Sequence, residues 1–307
     1  MKVTVTGGTG MVGCALQRIM PKDFTSSYLS SKFADLRCAD KVAQSLSPLK
    51  PDVVIHLAAK VGGIIANNAN QYDFFYDNLM INTNVVNWCM KHKVKLIAIS
   101  STCVYPKKIE QYPITEDMLN LGDAEPTNAG YAYAKRAMKH QMEAAARQHS
   151  VEWALLYASN LYGPKDHFGR ESAHVIPAIL HRIHLAKLNN DPTVEIYGTG
   201  KPLRQFLYVD DLGKVILAAL EQNLVGDYNV VNPPNISIRE VAETIVDVVG
   251  YEGELEFNGK LDGIYKKDAS VEKLKKSMDL PEFTSLRKGL ELTYDWYLEH
   301  YDQASDI

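Results

Sequence analysis

The chain opens with Met1-Lys2-Val3-Thr4-Val5-Thr6-Gly7-Gly8-Thr9-Gly10-Met11-Val12-Gly13, a β-branched run that ends in a glycine-rich turn. The run Lys2–Thr6 predicts a first strand, and the segment Met11–Met20 after the glycines predicts a helix. A strand that turns through glycines directly into a helix is the beginning of a strand–helix–strand unit. This opening therefore predicts a parallel α/β sheet.

Strands and helices continue to alternate through the first half of the chain. Further strands are predicted at Ser26–Ser30, Val53–Leu57, Lys95–Ser100 and Trp153–Tyr157. The intervening helices are predicted at Ala39–Leu49, Asp73–Lys93 and Tyr131–Gln148. Val53–Leu57 is almost entirely apolar, as expected of a parallel strand that is covered on both faces. The pattern predicts a doubly wound parallel sheet that binds its ligand outside the carboxyl ends of the strands.

The elements become shorter after Gly163 and Pro164. A strand is predicted at Thr193–Tyr197, and helices at Val175–Lys187, Asp211–Glu221, Ile238–Val249 and Ser285–Tyr301. We expect residues 1–163 to form a dinucleotide-binding domain of the Rossmann type, to which segments near 204–235 return. Residues 164–307 are expected to form mainly a smaller substrate-binding lobe.

Composition narrows the range of partners. Hydrophobic residues make up 46% and charged residues 23% of the 307 residues, which is ordinary for a soluble globular protein. The net charge is −4 without a run of basic residues, so we expect no nucleic-acid partner. We expect neither a membrane span nor a signal peptide. Four cysteines lack CxxC spacing and predict no disulfide or metal site, which favours the reducing cytoplasm: Cys14, Cys38, Cys89 and Cys103.

The glycine-rich turn has the pattern TGxxGxxG between a strand and a helix. Gly7 and Gly10 permit the tight turn, and Gly13 permits close packing of helix and strand. The free N–H groups at the helix N-terminus suit a pyrophosphate, so the turn predicts a dinucleotide site rather than a turn without a ligand. The expected contacts are Gly7, Gly8, Thr9, Gly10, Met11, Val12 and Gly13.

The end of the second predicted strand bears on the choice between NADPH and NADH. NAD-binding enzymes usually carry an acidic residue there, whereas this strand ends in Ser30, Ser31 and Lys32. Lys32 and the serine hydroxyls suit a 2′-phosphate, which favours NADP(H). The alternative is that Lys32 is an ordinary solvated lysine. Asp35 and Leu36 are expected to flank the adenine.

Three side chains suggest carbonyl chemistry. Tyr131 and Lys135 lie four residues apart on a predicted helix and therefore on one face, and we expect the ammonium group to lower the pKa of the phenol. Ser101 ends the fourth predicted strand, at the sheet edge where a hydroxyl can bind a substrate carbonyl. In this order and context the three resemble the short-chain dehydrogenase/reductase family. There the tyrosine protonates a carbonyl oxygen while hydride arrives from a nicotinamide.

A closer resemblance extends from residue 3 to about residue 212. The matching blocks are 56–64 (HLAAKVGGI), 66–68 (ANN), 101–106 (STCVYP), 160–164 (NLYGP), 174–177 (HVIP) and 198–206 (GTGKPLRQF). These blocks are similar to those of the GDP-fucose synthases, extended members of the family that invert two sugar carbons and then reduce a 4-ketone. The resemblance implies further cofactor contacts at Leu57, Ala58, Ala59, Tyr131, Lys135, Ala158, Ser159, Asn160, Leu161 and His174.

The same resemblance implies an acid–base pair for the inversions. Cys103 corresponds to the base that removes the acidic protons beside the ketone, and His174 to the acid that returns protons on the opposite face. Thiol and imidazole groups are suited to proton exchange near neutral pH. Tyr131 and Ser101 would hold the enolate oxyanion. Without the resemblance, Cys103 is equally well interpreted as an inert cysteine, and His174 as a surface or capping residue.

Basic and aromatic residues of the second half are candidates for substrate binding. Arginine grips phosphate oxygens bidentately, which makes Arg182 and Arg204, together with Lys187, candidates for a nucleotide diphosphate. The resemblance places Arg182, Tyr197, Arg204 and Ser270 against the sugar nucleotide, with Tyr197 stacking on the base. Arg182 is about equally well interpreted as a solvated helix residue. His181 and His184 lie three residues apart but have no partner ligands that indicate a metal.

Several positions depart from the family pattern. Thr9 stands where some members have an arginine near the 2′-phosphate, and Ala158 and Ser159 replace a Pro-Thr pair. Lys165 and His167 alter the polar residues that follow the Gly-Pro pair. These changes leave the cofactor preference and the exact sugar open. They do not affect the expected reaction class.

Two other functions are compatible with these motifs. One is an extended-family epimerase or reductase that acts on another 4-keto sugar nucleotide, and the residues do not distinguish guanine from another base. The other is a non-catalytic NADP-binding interaction module, which is disfavoured because Ser101, Tyr131 and Lys135 are all present. The resemblance also implies a homodimer through the helices Asp73–Lys93 and Tyr131–Gln148.

Overall fold

A six-stranded, wholly parallel sheet forms the centre of the computed structural model, which describes residues 1–168, 173–260, 262 and 264–301. Its strands are β1 (Lys2–Thr6), β2 (Thr25–Leu29), β3 (Val53–His56), β4 (Lys95–Ser101), β5 (Trp153–Ala158) and β10 (Gly226–Val230). Their order across the sheet is β10-β5-β4-β3-β1-β2. Strand order reverses between β1 and β3, which is where a doubly wound sheet opens a crevice for ligands.

Helices cover both faces of this sheet. They are α1 (Met11–Ile19), α2 (Ala39–Leu46), α3 (Ile64–Ala69), α4 (Gln71–His92), α5 (Ala129–His149) and α7 (Val209–Glu221). Helix α1 packs against α7, whereas α4 packs against both α2 and α5. β3 and β5 are buried along their whole lengths because each has helices on both sides. In the described part of the chain, no helix is long and apolar enough to cross a membrane.

The remaining elements form a second, smaller core. Its helices are α6 (Val175–Asn189), α8 (Ile238–Val249) and α10 (Leu286–Glu299), and a further short helix is α9 (Glu272–Ser277). Its strands are β6 (Asn160–Tyr162), β7 (Thr193–Ile196), β8 (Leu203–Arg204), β9 (Phe206–Tyr208), β11 (Ile236–Ser237) and β12 (Glu254–Phe257). Helices α6, α8 and α10 pack together around buried aliphatic and aromatic side chains. α9 instead lies against β10 of the large sheet.

A buried polar cluster anchors β10 beside β5. Asn229 is fully buried, and its side chain accepts a hydrogen bond from Tyr105 Oη at 2.7 Å and donates one to the Ile114 carbonyl at 3.1 Å. The Asn229 backbone N–H donates to Glu116 Oε1 at 2.7 Å. Because buried polar groups need partners, this cluster defines where the returning strand docks.

The prediction of a doubly wound parallel sheet is confirmed. The first five strands and the long helices agree with the predicted bounds to within a few residues. The helix predicted at Ala39–Leu49 ends earlier, at Leu46, and Lys50 has a positive φ of 46°. The strands β6, β8, β9, β10, β11 and β12 were not predicted, because each is short and lacks a distinct apolar run or alternation.

Candidate functional site

The glycine-rich turn lies at the crevice between β1 and β3. Gly7 has a φ of +70°, and a Cβ there would lie 2.7 Å from the Ala58 backbone nitrogen. A Cβ on Gly13 would lie 2.4 Å from the Gly8 carbonyl oxygen. Gly10 is the N-cap of α1 and has no side chain to occupy the first N–H groups of the helix. These groups therefore fit a pyrophosphate.

The end of β3 is tied to the end of β1 by a buried chain of hydrogen bonds. Thr6 Oγ1 lies 2.8 Å from His56 Nδ1, and His56 Nε2 lies 3.1 Å from Asn82 Oδ1 on α4. Burial, with a further contribution from the positive charge of Lys135, lowers the pKa of His56 to about 3, so its ring is neutral. These hydrogen bonds hold the predicted cofactor contacts Leu57, Ala58 and Ala59 beside the glycine turn.

The polar segment predicted to bind the adenosine follows β2. Ser30 is buried, whereas Ser31 and Lys32 are exposed. Among the described residues Lys32 makes no ion pair. Asp35 is bound by a neighbouring arginine, and the Leu36 carbonyl accepts a hydrogen bond from Asn84 Nδ2 at 3.0 Å. The segment is thus fixed to α4, with a lysine left free at its exposed corner.

The structure brings Tyr131 and Lys135 together near the start of α5. Lys135 is only 2% exposed, and its Nζ donates to the Ile99 carbonyl of β4 at 2.9 Å. The same Nζ lies 5.9 Å from the centroid of the Tyr131 ring. Ser101 is the last residue of β4, and its Oγ accepts a hydrogen bond from the Cys103 backbone at 3.3 Å. The carboxyl end of β4 and the face of α5 thus form one group.

The charges in this group differ from the sequence-based expectation. Burial, followed by the negative charge that Cys103 carries as a thiolate, raises the pKa of Tyr131 well above its usual value. The expected lowering of the Tyr131 pKa is therefore wrong, because loss of solvation on burial is the largest cause of the shift. Burial also lowers the pKa of Lys135 to about 8. At neutral pH the phenol keeps the proton that a carbonyl reduction requires.

A second lysine near Cys103 was missed by the sequence analysis. Cys103 is half-buried in a short 3₁₀ turn, Thr102–Val104, directly after β4. Burial lowers the pKa of Lys267, and the thiolate charge of Cys103 opposes this shift. The Lys267 backbone N–H donates to the Leu203 carbonyl, which brings the segment against β8. No local motif marks this lysine, because its partners are far away in sequence.

His174 is the N-cap residue of α6 and is paired with a buried carboxylate. Its Nδ1 lies 3.5 Å from Asp166 Oδ1, and this hydrogen bond raises the pKa of His174 despite the opposing effect of burial. Asp166 is 3% exposed, whereas the histidine side chain is 47% exposed. In the described ranges, no hydrogen bond joins His174 to Tyr131 or Cys103. Asp166 is a second residue that the sequence analysis missed.

The residues after β5 lie beside the group formed by Ser101, Tyr131 and Lys135. Ala158 of β5 pairs with Ser101 of the neighbouring strand β4. Ser159 is buried, and its N–H donates to the Val230 carbonyl at 3.1 Å. Asn160 Nδ2 donates to the Gln205 carbonyl at 2.9 Å, and Leu161 follows in β6. All four lie at the carboxyl edge of the sheet, where the cofactor is expected.

The proposed substrate residues fall into two groups. The Arg182 guanidinium stacks on the Tyr197 ring, 3.9 Å from its centroid, and the ring is 50% exposed. Arg204 lies on β8, donates to the Leu203 carbonyl at 2.8 Å, and has a pKa lowered by burial. Both arginines can turn toward an anion without breaking an ion pair to a carboxylate in the described chain.

Lys187 and Ser270 are held elsewhere. The Lys187 ammonium donates to the Val249 carbonyl at 2.6 Å, at the C-terminal end of α8, because helix C-termini attract cations. The Ser270 hydroxyl accepts a hydrogen bond from the Glu272 N–H at 3.3 Å beside α9. The structure therefore gives both side chains structural partners and does not join them to the arginines.

Comparisons with known proteins agree with this geometry. Residues 3–232 match the model of the NAD dependent epimerase/dehydratase family. GDP-L-fucose synthase 1 of Arabidopsis thaliana is 41% identical over 304 residues, covering 97% of this chain and 94% of the relative. GDP-L-fucose synthase of Escherichia coli is 37% identical and covers 98% of each chain.

Solved structures with the same fold include enzymes of two activities. The GDP-L-fucose synthetase of Naegleria fowleri bound to NADP is 34% identical, with a TM-score of 0.88 over 99% of this chain and 94% of its own. A GDP-mannoheptose C4 reductase from Campylobacter jejuni, with NADP bound, is 29% identical. Its TM-score is 0.86 over 97% of this chain and 98% of its own.

The close backbone approach at Gly13 generates a prediction. A Gly13→Ala substitution places a Cβ 2.4 Å from the Gly8 carbonyl oxygen, so the turn must shift away from its pyrophosphate-binding form. We expect the Kd for NADPH to rise about tenfold or more, which is a loss of at least about 1.4 kcal/mol of binding free energy. Titration of NADPH fluorescence measures this change.

Gly122→Ala is the matched control, because its Cβ would meet only Pro106 at an ordinary 3.4 Å. Thermal unfolding of both variants checks that they fold. A folded Gly13→Ala protein with unchanged affinity for NADPH would contradict the assignment of the turn.

Proposed function

Because this chain belongs to the NAD dependent epimerase/dehydratase family, and within it to the GDP-L-fucose synthases, we propose that it converts GDP-4-dehydro-6-deoxy-D-mannose to GDP-L-fucose. The conversion consists of inversion at C3 and C5 followed by NADPH-dependent reduction of the 4-ketone. One observation carries the proposal. The Lys135 ammonium lies 5.9 Å from the Tyr131 ring, and Cys103 is hydrogen-bonded to Ser101 at the end of β4, so the groups that both steps need lie together.

We infer that the two parts of the chain bind different ligands. Residues 1–163, with the segments near 204–235, hold NADP(H) through the glycine turn and the segment with Lys32. Residues 164–307 mainly bind the sugar nucleotide. The dinucleotide site fits NADP(H) because the backbone N–H groups suit its pyrophosphate and an unpaired lysine suits its 2′-phosphate. When bound, NADPH supplies the hydride.

The inversions use a proton acceptor and a proton donor on opposite faces of the sugar. Protons beside the ketone are acidic because the resulting carbanion is delocalised as an enolate. Cys103 removes such a proton as a thiolate, and Lys135 and Lys267 both interact electrostatically with Cys103. His174 returns a proton from the other face, and Asp166 maintains its protonated form.

The ketone oxygen is served by the same groups in both steps. The Tyr131 phenol and the Ser101 hydroxyl donate hydrogen bonds to the enolate oxygen during inversion. In the reduction, hydride reaches C4, and the Tyr131 phenol gives its proton to the oxygen, which becomes a hydroxyl. Lys135, buried beneath the ring, stabilises the phenolate that remains.

The nucleotide part of the substrate is assigned to the second lobe. Arg204 and Arg182 bind diphosphate oxygens, and the exposed ring of Tyr197 stacks on the base. Lys267 interacts electrostatically with both Arg204 and Cys103. The partner is thus a GDP-sugar. We also propose a cytoplasmic location, because the four free thiols suit a reducing compartment.

A plain 4-reductase acting on another GDP-linked keto sugar is the second candidate. The observation in its favour is the full-length structural likeness to the GDP-mannoheptose C4 reductase. Such an enzyme has no need of a proton-transfer pair beside the ring. Cys103 and His174 therefore separate the two candidates.

The function is tested with purified protein, GDP-4-dehydro-6-deoxy-D-mannose and NADPH. We expect NADPH consumption and a product that NMR identifies as GDP-L-fucose. In D₂O without NADPH, deuterium should enter C3 and C5. Cys103→Ser should slow this exchange roughly 100- to 10,000-fold, the usual contribution of a general base.

Cys38→Ser, which changes an exposed thiol, is the matched control and should exchange like the wild type. Reduction without deuterium entry would identify a plain 4-reductase and remove Cys103 and His174 from the mechanism. Absence of any turnover, in protein shown to bind NADPH, would reject the proposed substrate.

The pairing of His174 with Asp166 predicts a pH dependence. A carboxylate beside an imidazolium raises its pKa, so the wild-type donor stays protonated to higher pH. Asp166→Asn removes that charge, and the alkaline limb of the exchange rate should move to lower pH by roughly half a unit to one unit. The measurement is the pH profile of deuterium exchange.

Asp247→Asn is the control, since this carboxylate pairs with Arg287 on the surface of the second lobe. Its profile should coincide with that of the wild type. If Asp166→Asn folds normally and its alkaline limb does not move, Asp166 does not tune His174.

We further propose that two copies pair through α4 and α5. These helices pack together within one chain, and three aromatic residues near the start of α4 are exposed: Tyr72, Phe75 and Tyr76. Two such helix pairs can form a four-helix interface. Light scattering after size exclusion should give a dimer mass. The double variant Tyr72→Glu/Tyr76→Glu should give a monomer, because it buries charges at the interface.

Leu298→Glu changes an equally exposed apolar residue on α10 and should remain dimeric. A monomeric wild type at micromolar concentration, or a dimeric double variant, would exclude this interface.

A further inference from the structure

Arg37 holds the carboxylate of Asp35 in a two-point grip. Arg37 Nε lies 2.9 Å from Asp35 Oδ1, and the second guanidinium nitrogen, Nη2, lies 2.9 Å from Oδ2. The Arg37 backbone N–H also donates to Oδ1 at 3.1 Å. Both carboxylate oxygens are thus occupied, and Arg37 lowers the pKa of Asp35. This fork-to-fork geometry is the stronger form of an ion pair.

Helix α4 fixes the orientation of this arginine. Arg37 Nη1 lies 3.3 Å from Asp77 Oδ1, and the other oxygen of Asp77 accepts a hydrogen bond from Lys60 Nζ at 2.8 Å. A single exposed ion pair contributes little, but this arginine is held from two sides. The four side chains form a chain of alternating charge from the segment after β2 to the loop after β3.

The Asp35–Arg37 pair lies close to the segment that is expected to bind the adenosine part of the cofactor. The ribose of a dinucleotide's adenosine lies beyond the end of the second strand, where a free carboxylate accepts hydrogen bonds from the ribose hydroxyls. The same carboxylate repels a 2′-phosphate. Here Ser30, Ser31 and Lys32 occupy the position directly after β2, and Asp35, three residues beyond Lys32, has both carboxylate oxygens occupied by Arg37. Lys32, on the same segment, makes no ion pair with any described residue.

We propose that Arg37 is a specificity residue that favours NADPH over NADH by neutralising Asp35 rather than by contacting the phosphate. With Asp35 held, Lys32 is the uncompensated cation of the segment and receives the 2′-phosphate. Without Arg37, the freed carboxylate of Asp35, three residues from Lys32, repels that phosphate. The inference rests on the NADP(H) dependence contained in the proposed function.

Binding titrations without any sugar nucleotide test the inference separately from catalysis. The quantity measured is the ratio of the Kd for NADH to the Kd for NADPH. Arg37→Gln should lower this ratio about threefold to tenfold, the effect of one carboxylate charge several ångströms from a phosphate in water. Added salt should reduce the difference between variant and wild type.

A second variant separates neutralisation from direct contact. In Arg37→Gln/Asp35→Asn the repelling charge is also gone, so the ratio should return to within about twofold of the wild-type value. A direct Arg37–phosphate contact would instead leave the double variant as poor as the single one. Arg287→Gln, which frees Asp247 in the second lobe, should bind both cofactors like the wild type.

Three results would overturn the inference. They are an unchanged ratio in Arg37→Gln, a double variant that does not recover, and a wild type that binds NADH as tightly as NADPH. Circular dichroism confirms that each variant is folded. Because the assay contains no sugar, failure of the proposed reaction leaves this result intact.

Discussion

The closeness of three backbone segments at the glycine turn is the constraint on which the site depends. A Cβ on Gly7 would meet Ala58 of the β3 loop, and one on Gly13 would meet the Gly8 carbonyl. A Cβ on Gly8 would lie 2.6 Å from the Cβ of Tyr28 in β2. Only glycine permits this approach, which places the N-terminus of α1 and the ends of β2 and β3 around one crevice. The segments proposed to bind the two ends of a dinucleotide are thereby brought together.

Much of this arrangement could be predicted from sequence because its signals are local. The glycine turn, the spacing of Tyr131 and Lys135, and the position of Ser101 after an apolar run each occupy a short window. They predicted a doubly wound sheet and membership of the extended short-chain dehydrogenase/reductase family, and both predictions are confirmed. The roles of individual site residues remain proposals.

The rest depends on contacts between distant segments, which leave no local pattern. Lys267 reaches the surroundings of Cys103 through the pairing of its segment with β8. Asp166 looks like any polar loop residue until the fold buries it against His174. Lys187 carries the charge that a diphosphate needs, but the packing of α6 on α8 directs it to a helix end. The direction of the pKa shift in Tyr131 likewise depends on burial, which charge spacing alone does not reveal.

The buried lysine shows how the fold and the chemistry are linked. The pKa of Lys135 falls from 10.5 to about 8 on folding, so the unfolded chain binds the extra proton more tightly. The resulting cost to stability is fully present below pH 8 and disappears as the pH rises through 10.5. At neutral pH the protein therefore holds an ammonium group beneath Tyr131 at the expense of its own stability. A thiolate at Cys103 or a phenolate at Tyr131 offsets that cost, because each supplies the opposite charge. The same cation thus lies beside the proposed base of the inversions and beside the tyrosine that the proposed reduction leaves deprotonated, so one pocket can serve both steps.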